Sequence, residues 1–140
     1  VRYRSRARRQ APPAGLEDSS MIKDFRDLKV WQKSMDLVEM IYKNIASFPA
    51  LEKYGLAAQM RRSAVSIPSN IAEGHGRRGK AEYIHHLSIA HGSLMECLTH
   101  VMIAGRLNYW NDETVSAVTC VMEELSKQIN TLMYRLRAKM

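Results

Sequence analysis

At 140 residues the chain is long enough for one domain with a genuine core and too short for two of ordinary size. Its 46% hydrophobic content is near the globular norm, and 7 Gly and 4 Pro against 9 Met favour helices over a turn-rich sheet. No apolar run approaches the ~20 residues of a membrane-spanning helix, and a formal charge of +7 matters for function only where it is concentrated.

Residues 1–20 carry five Arg against Glu17 and Asp18, a net of +3, and show no apolar periodicity. Pro12, Pro13 and Gly15 interrupt any amphipathic transit helix, and the apolar core of a secretory signal is missing. The stretch reads as a basic flexible tail or a non-native extension, ahead of a domain over residues 21–140. A first helix is predicted over residues 27–46, where Leu28, Trp31, Met35, Val38, Tyr42 and Ile45 step by three and four as one seam. Leu37, Met40 and Ile41 widen that stripe, and Ser47, Phe48 and Pro49 stop the helix.

A second helix is predicted over residues 51–73, with Leu56, Met60, Ala64, Ile67 and Ile71 at helical spacing. Ala57, Ala58, Ser63, Ala64, Ser66, Ser69 and Ala72 make it small-sided enough for neighbouring backbones to approach, and Pro68 predicts a kink. Gly74, Gly76 and Gly79 mark the clearest break in the chain. A third helix follows over residues 80–104, presenting Ile84, Leu87, His91, Leu94, Leu98 and Val101 on one face. Gly92 in its middle costs ~1 kcal/mol relative to Ala, which predicts close contact with another helix beside Ala90 and Ser93. Asn111 caps the fourth helix, with Asp112 and Glu113 at the positive end of its dipole. Its seam runs Val115, Val118, Met122, Leu125, Ile129, Leu132, Leu136, and Arg135, Arg137 and Lys139 complement its negative end.

Four long helices on short loops predict an all-α fold, an antiparallel up-down-up-down four-helix bundle. Leu37, Met40, Val121 and Met133 lie beyond a single seam, which predicts apolar surface left over for an oligomer interface.

The chemistry on offer is limited. Glu82 and His85 form a Glu-x-x-His step of the kind that di-iron bundles use in pairs, but the only companions, Glu96 and His100, are four apart on the same helix. No metal site and no cofactor are expected, and Cys97 and Cys120 read as reduced, buried thiols in a cytoplasmic protein. A metal-dependent oxidoreductase is the least favoured class. No Ser, His and acid form a readable triad, and no Gly-rich phosphate loop occurs, so the protein is expected to be non-enzymatic. Ser66, Asn70 and Glu73 on the second helix, with Tyr83, Ser93 and Glu96 on the third, read as a structural polar network, since buried Asn and Ser need partners. Arg61, Arg62, Arg77, Arg78 and Lys80 face Glu73 alone within residues 61–80, a local net of +4 that the rest of the folded part does not add to. These five residues are the candidate nucleic-acid-binding site.

The run Tyr54-Gly55-Leu56, then Gln59-Met60-Arg61-Arg62-Ser63, then Ser66-Ile67-Pro68-Ser69-Asn70-Ile71-Ala72-Glu73-Gly74 resembles the signature of the S23 family, proteins encoded in intervening sequences of bacterial 23S rRNA genes. Phe25-Arg26-Asp27-Leu28 with Trp31, Phe48-Pro49, Tyr83, and Gly92-Ser93-Leu94 with Glu96 match further marks, so the resemblance runs from about Phe25 to the C-terminus. It implies a left-handed four-helix bundle that assembles into a ring, typically a homopentamer. In such a ring the basic cluster repeats to roughly +20, enough to hold a nucleic-acid backbone by counterion release. The expectation is therefore a cytoplasmic, non-enzymatic ring that offers its basic surface to RNA or DNA, structured rRNA above all. The alternative is a scaffold that docks a protein partner, because bundle and ring also resemble the accessory proteins of retroelements that bind a reverse transcriptase.

Overall fold

A computed structural model describes residues 23–140; the predicted tail over residues 1–20 lies outside the described residues. Four helices account for most of them: α1 (Lys29–Ile45), α2 (Leu56–His75), α3 (Lys80–Arg106) and α4 (Asp112–Ala138), with short 3-10 turns at Phe25–Asp27 and Ala50–Glu52. Among the described residues there is no strand. The all-helical expectation and its four helices hold. α2 starts later than the periodicity suggests because residues 50–52 turn more tightly, and the Glu52 carboxylate accepts the Leu56 N–H at 2.8 Å as the helix cap. Asn111 caps α4 as expected, its Oδ1 accepting the Thr114 N–H at 2.8 Å.

Side-chain bonds fix the helix directions. Ser63 meets His100, Ser66 meets Ser93 and Asn70 meets His86, so α2 and α3 run antiparallel. His91 meets Ser126, and Lys80 meets the Lys139 carbonyl, so α3 and α4 do the same. Lys33 pairs with Glu124, and the Trp110 indole N–H, just ahead of α4, donates to the Asn44 carbonyl at 2.9 Å, which sets α1 against α4. Each helix thus packs on its neighbours in sequence, and α1 closes onto α4.

The core lies along the common axis. Leu37, Ile41, Met60, Ile67, Ile71, Leu87, Leu94, Val118, Leu125 and Ile129 are wholly inaccessible to solvent. The α4 seam holds from Val118 to Leu136, with Val115 half-buried and Met133 added to the core, whereas that of α1 is rotated and that of α3 holds at Leu87, Leu94 and Val101. In α1 the buried line is Val30, Ser34, Leu37, Ile41 and Ile45, with Trp31, Met35 and Val38 at its edge and Tyr42 half exposed. An apolar stripe this wide leaves two adjacent lines equally regular, and packing against both α2 and α4 selects the one carrying Ser34. Leu37 and Met133 are therefore core, and Met40 and Val121 are half-buried, so they are not the surplus apolar surface expected of them. In α3 the buried line is Tyr83, Leu87, Ala90, Leu94, Cys97, Val101 and Ala104, and Ile84 and Leu98 are only half-buried.

Three further expectations are corrected. Cys97 is buried, but Cys120 is exposed, on the side of α4 away from Val118 and Met122. Against the expectation of no span-like segment, α3 has a membrane helix's length and an 18-residue window of mean hydropathy 1.2. Its buried line nevertheless lies in the bundle core. Gly92 makes no close helix contact: a Cβ there would meet nothing within 4 Å. The tight glycine is Gly74, where a Cβ would lie 2.7 Å from His86 Cβ and 3.2 Å from the Tyr83 ring and carbonyl. α2 passes through Pro68 without a break, with the ring buried.

The two glycines give opposite expectations. Gly74→Ala overpacks the α2–α3 contact and lowers the unfolding free energy by about 1–3 kcal/mol, whereas Gly92→Ala raises it by up to about 1 kcal/mol. Urea unfolding followed by circular dichroism measures both.

Candidate nucleic-acid interface

Of the five basic residues singled out in the sequence, the structure brings three together. α2 ends at His75, and the chain turns through residues 76–79 into α3, carrying exposed Arg77 and Arg78 and half-buried Lys80. The Lys80 ammonium donates to the Lys139 carbonyl at 3.2 Å, which places the end of α4 beside this turn. Arg135, Arg137 and Lys139 on that final stretch are exposed. The same end of the bundle thus gathers Arg77, Arg78, Lys80, Arg135, Arg137 and Lys139. Arg77 donates to the Glu73 carboxylate at 2.7 Å, an i,i+4 pair of two exposed groups that contributes little to stability. Arg78 and Arg137 have no carboxylate partner among the described residues.

Arg61 and Arg62 stand apart. They precede Arg77 by 15 or 16 residues, roughly 22–24 Å of helix at 1.5 Å per residue. The half-buried Arg61 guanidinium donates to the Lys53 carbonyl at 3.0 Å, toward the opposite end, and Arg62 is exposed. The sequence reading missed Arg135, Arg137 and Lys139 because they were assigned to the dipole of their own helix. The signal was present: in an antiparallel bundle the ends of α2 and α4 and the start of α3 share one pole.

The six residues read as one polar network divide. The Ser66 and Ser93 hydroxyls bond each other at 2.8 Å across α2 and α3. Asn70 Nδ2 donates to the Ser66 carbonyl at 2.9 Å and to its hydroxyl at 3.0 Å. Asn70 Oδ1 in turn lies 3.3 Å from His86 Nδ1, a member the sequence reading left out. Glu73 stands at the network's rim, 4.0 Å from His86 Nδ1. Tyr83 does not join: its hydroxyl is buried without a partner among the described residues, its ring stacks edge-on to His75, and burial pushes its ionisation well above the usual range. Glu96 is exposed and lies on another stretch of α3, 3.9 Å from His100 Nε2.

That second stretch holds a Ser, a His and an acid in sequence positions that gave no hint of it. The buried Ser63 hydroxyl donates to the Met60 carbonyl at 3.1 Å, which leaves it to accept from His100 Nδ1 at 3.2 Å. The proton runs the wrong way for a nucleophile and base, because the imidazole gives to the hydroxyl instead of taking from it. Both groups are also closed to solvent, so the trio is structural. Burial pushes the neighbouring Cys97 thiol up to about 11. Among the described residues no three His, Cys, Asp or Glu side chains gather as a metal set.

The model of a family described as 23S rRNA-intervening sequence protein matches residues 26–131. No curated protein matches. A crystal structure from Bacteroides thetaiotaomicron, described as a protein with unknown function from the S23 ribosomal protein family, superposes with a TM-score of 0.68 at 23% identity. The match covers 74% of this chain and 97% of that one, a likeness of fold. The family resemblance read from the sequence is borne out.

The buried trio gives a pH signature. Desolvation holds His100 below the ordinary imidazole value of 6.5, opposed by the charge of Glu96 and reinforced by that of Arg62. The unfolded chain therefore takes up this proton first, and stability falls as pH drops through 6.5. His100→Asn, which keeps a donor for Ser63, is expected to flatten the wild-type decline between pH 7 and 5 in urea unfolding.

Proposed function

The chain belongs to the 23S rRNA-intervening sequence protein family, and from that premise we propose that it binds nucleic acid, structured RNA in the first place, through the basic end of its bundle. The observation that carries the reading is the Lys80–Lys139 contact. It unites two sequence-distant groups of cations into one surface, on which Arg78 and Arg137 have no carboxylate partner among the described residues. A phosphate backbone meets such a surface by releasing its own condensed counterions, which favours affinity over sequence discrimination. The family's name and the S23 ribosomal description of the structural neighbour support rRNA as the ligand and the cytoplasm as the setting.

The proposal includes assembly into a ring, a pentamer by the family resemblance. Support for an oligomer comes from α3, where Ile89, Met95, Met102 and Ile103 are between 37% and 46% exposed across the outer face. A second reading, a scaffold for a protein partner, is favoured by Leu51, Tyr54 and Leu107, exposed at the end opposite the cations.

Two experiments test these readings. Binding of a labelled rRNA hairpin, titrated from about 50 to 200 mM salt, is expected to show a steep log–log slope, which Arg78→Glu with Arg137→Glu reduces by about two units. The same reversal at Arg61 and Arg62 changes it by less than one unit. Absence of binding at 50 mM salt overturns the RNA reading and leaves the scaffold. In sedimentation the wild type is expected near five times the 16.0 kDa subunit mass, and Ile89→Asp with Met102→Asp at the subunit mass.

A further inference from the structure

We propose that the paired histidines beside the basic end cleave bound RNA by attack of its own 2′-hydroxyl, with His86 as the base and His85 as the acid. The inference rests on the reading of this end as an RNA-binding surface, and it departs from the expectation of a protein without catalysis.

The hydrogen bonds around His86 fix its protonation pattern. Asn70 Nδ2 donates to the Ser66 carbonyl, which only accepts, so the amide orientation is set and Oδ1 faces the imidazole. An amide oxygen only accepts as well, so His86 Nδ1 carries the hydrogen and Nε2 keeps its lone pair. Glu73 Oε2 lies 4.0 Å from the same Nδ1. Glu73 is itself held by Arg77, so the carboxylate and a guanidinium are delivered together. Gly74 provides the seat, since any side chain there would collide with His86 Cβ. A histidine oriented through one nitrogen, with the other left as a base, is the arrangement that proton transfer requires. The relay that orients it runs back through Ser66 to Ser93, so it is anchored on both helices.

His85 supplies the second group. Its ring is exposed and lies edge-on to His86, with centroids 5.8 Å apart. The two rings are thus close enough to address one phosphodiester, His86 being the less open of the two, with 15% of its side chain exposed. The step balances within the RNA and the two imidazoles. His86 Nε2 takes the 2′-hydroxyl proton, the freed oxygen forms a bond to phosphorus, and the bond from phosphorus to the 5′-oxygen breaks. The protonated His85 gives its proton to that leaving oxygen. The products are a 2′,3′-cyclic phosphate and a 5′-hydroxyl, and no metal or co-reactant is consumed. Arg77 and Arg78, forked donors suited to phosphate oxygens, oppose the charge that builds on the phosphorane.

The test incubates the full chain, with EDTA, with a 5′-labelled RNA hairpin carrying a single-stranded loop, and with the same sequence as DNA. Expected are RNA fragments ending in 2′,3′-cyclic phosphate, intact DNA, and a cleavage rate lowered on the order of 10²–10⁴-fold in His86→Gln and in His85→Ala. Binding of the uncleaved hairpin at 50 mM salt is expected to persist in both variants. Because His85 is exposed, His85→Ala decides the matter should His86→Gln fold poorly by circular dichroism. RNA bound but left intact, or cut equally fast by wild type and His85→Ala, overturns the cleavage proposal while the binding reading stands. No binding at low salt overturns both.

Discussion

The whole arrangement depends on how closely α2 and α3 approach. They share the most extensive interface in the bundle, and both helices bury small side chains, Ala57, Ser63, Ala64 and Gly74 on α2 and Ala90, Cys97 and Ala104 on α3. Gly74 sets the limit, because even a methyl group there would press within 2.7 Å of His86 Cβ. Overlap of that kind moves backbone instead of being absorbed by a flexible side chain. The close contact draws the end of α2 onto the start of α3. The turn carrying Arg77 and Arg78 is thereby short and outward-facing, and His86 is brought to Asn70.

Small side chains also decide which polar groups the interface tolerates. Where α2 and α3 meet, Ser66 with Ser93 and Ser63 with His100 each provide the other's partner. A neutral bond of this sort adds only about 1 kcal/mol net, but removing one member strands the other at a cost of about 1–3 kcal/mol. The pairs therefore act mainly on register: sliding α2 by one turn against α3 would separate both at once. Sites as different as the inert Ser63–His100 pair and the oriented His86 follow from the same requirement, that an enclosed polar group find a partner on the facing helix, a requirement that the Tyr83 hydroxyl escapes.

Much of this was legible in the sequence, and the failures have identifiable causes. The α4 seam was read correctly from Val118 to Leu136, Met133 apart, because its apolar stripe is narrow, flanked by Glu123, Glu124 and Lys127. α1 was read one line off because Trp31, Met35 and Val38 are as regular as Leu37 and Ile41, and one-dimensional spacing does not say which of two lines faces two neighbours. Gly92 and Gly74 were assigned the wrong way round. A glycine's cost in a helix is visible in a sequence, whereas the clash it averts belongs to another helix. His86 and His100 were missed for a similar reason, since their partners lie 16 and 37 residues away. Arg61 and Arg62 were joined to Arg77 and Arg78 by proximity in the chain, although α2 holds them roughly 22 Å apart.

The cations at the end of α4 were read as complements to a helix dipole, and the bundle itself argues against that as their whole role. Each helix carries about half a unit charge at either terminus. At the basic pole the C-termini of α2 and α4 lie beside the N-termini of α1 and α3, so two negative ends are met by two positive ends. The fields of the four helices largely cancel there before any side chain is counted. The four helix termini therefore leave little net field for Arg77, Arg78, Lys80, Arg135, Arg137 and Lys139 to complement. Glu73 and Glu82 are the carboxylates nearest to Arg77, Arg78 and Lys80 in the sequence, and Arg135, Arg137 and Lys139 have none within five residues. Such an excess raises the free energy of the isolated subunit by self-repulsion, and at physiological salt the repulsion extends over about 8 Å. A polyanion relieves that repulsion at the same time as it gains counterion entropy. The proposed binding therefore draws on a local excess of cations, in which Arg78 and Arg137 have no carboxylate partner among the described residues.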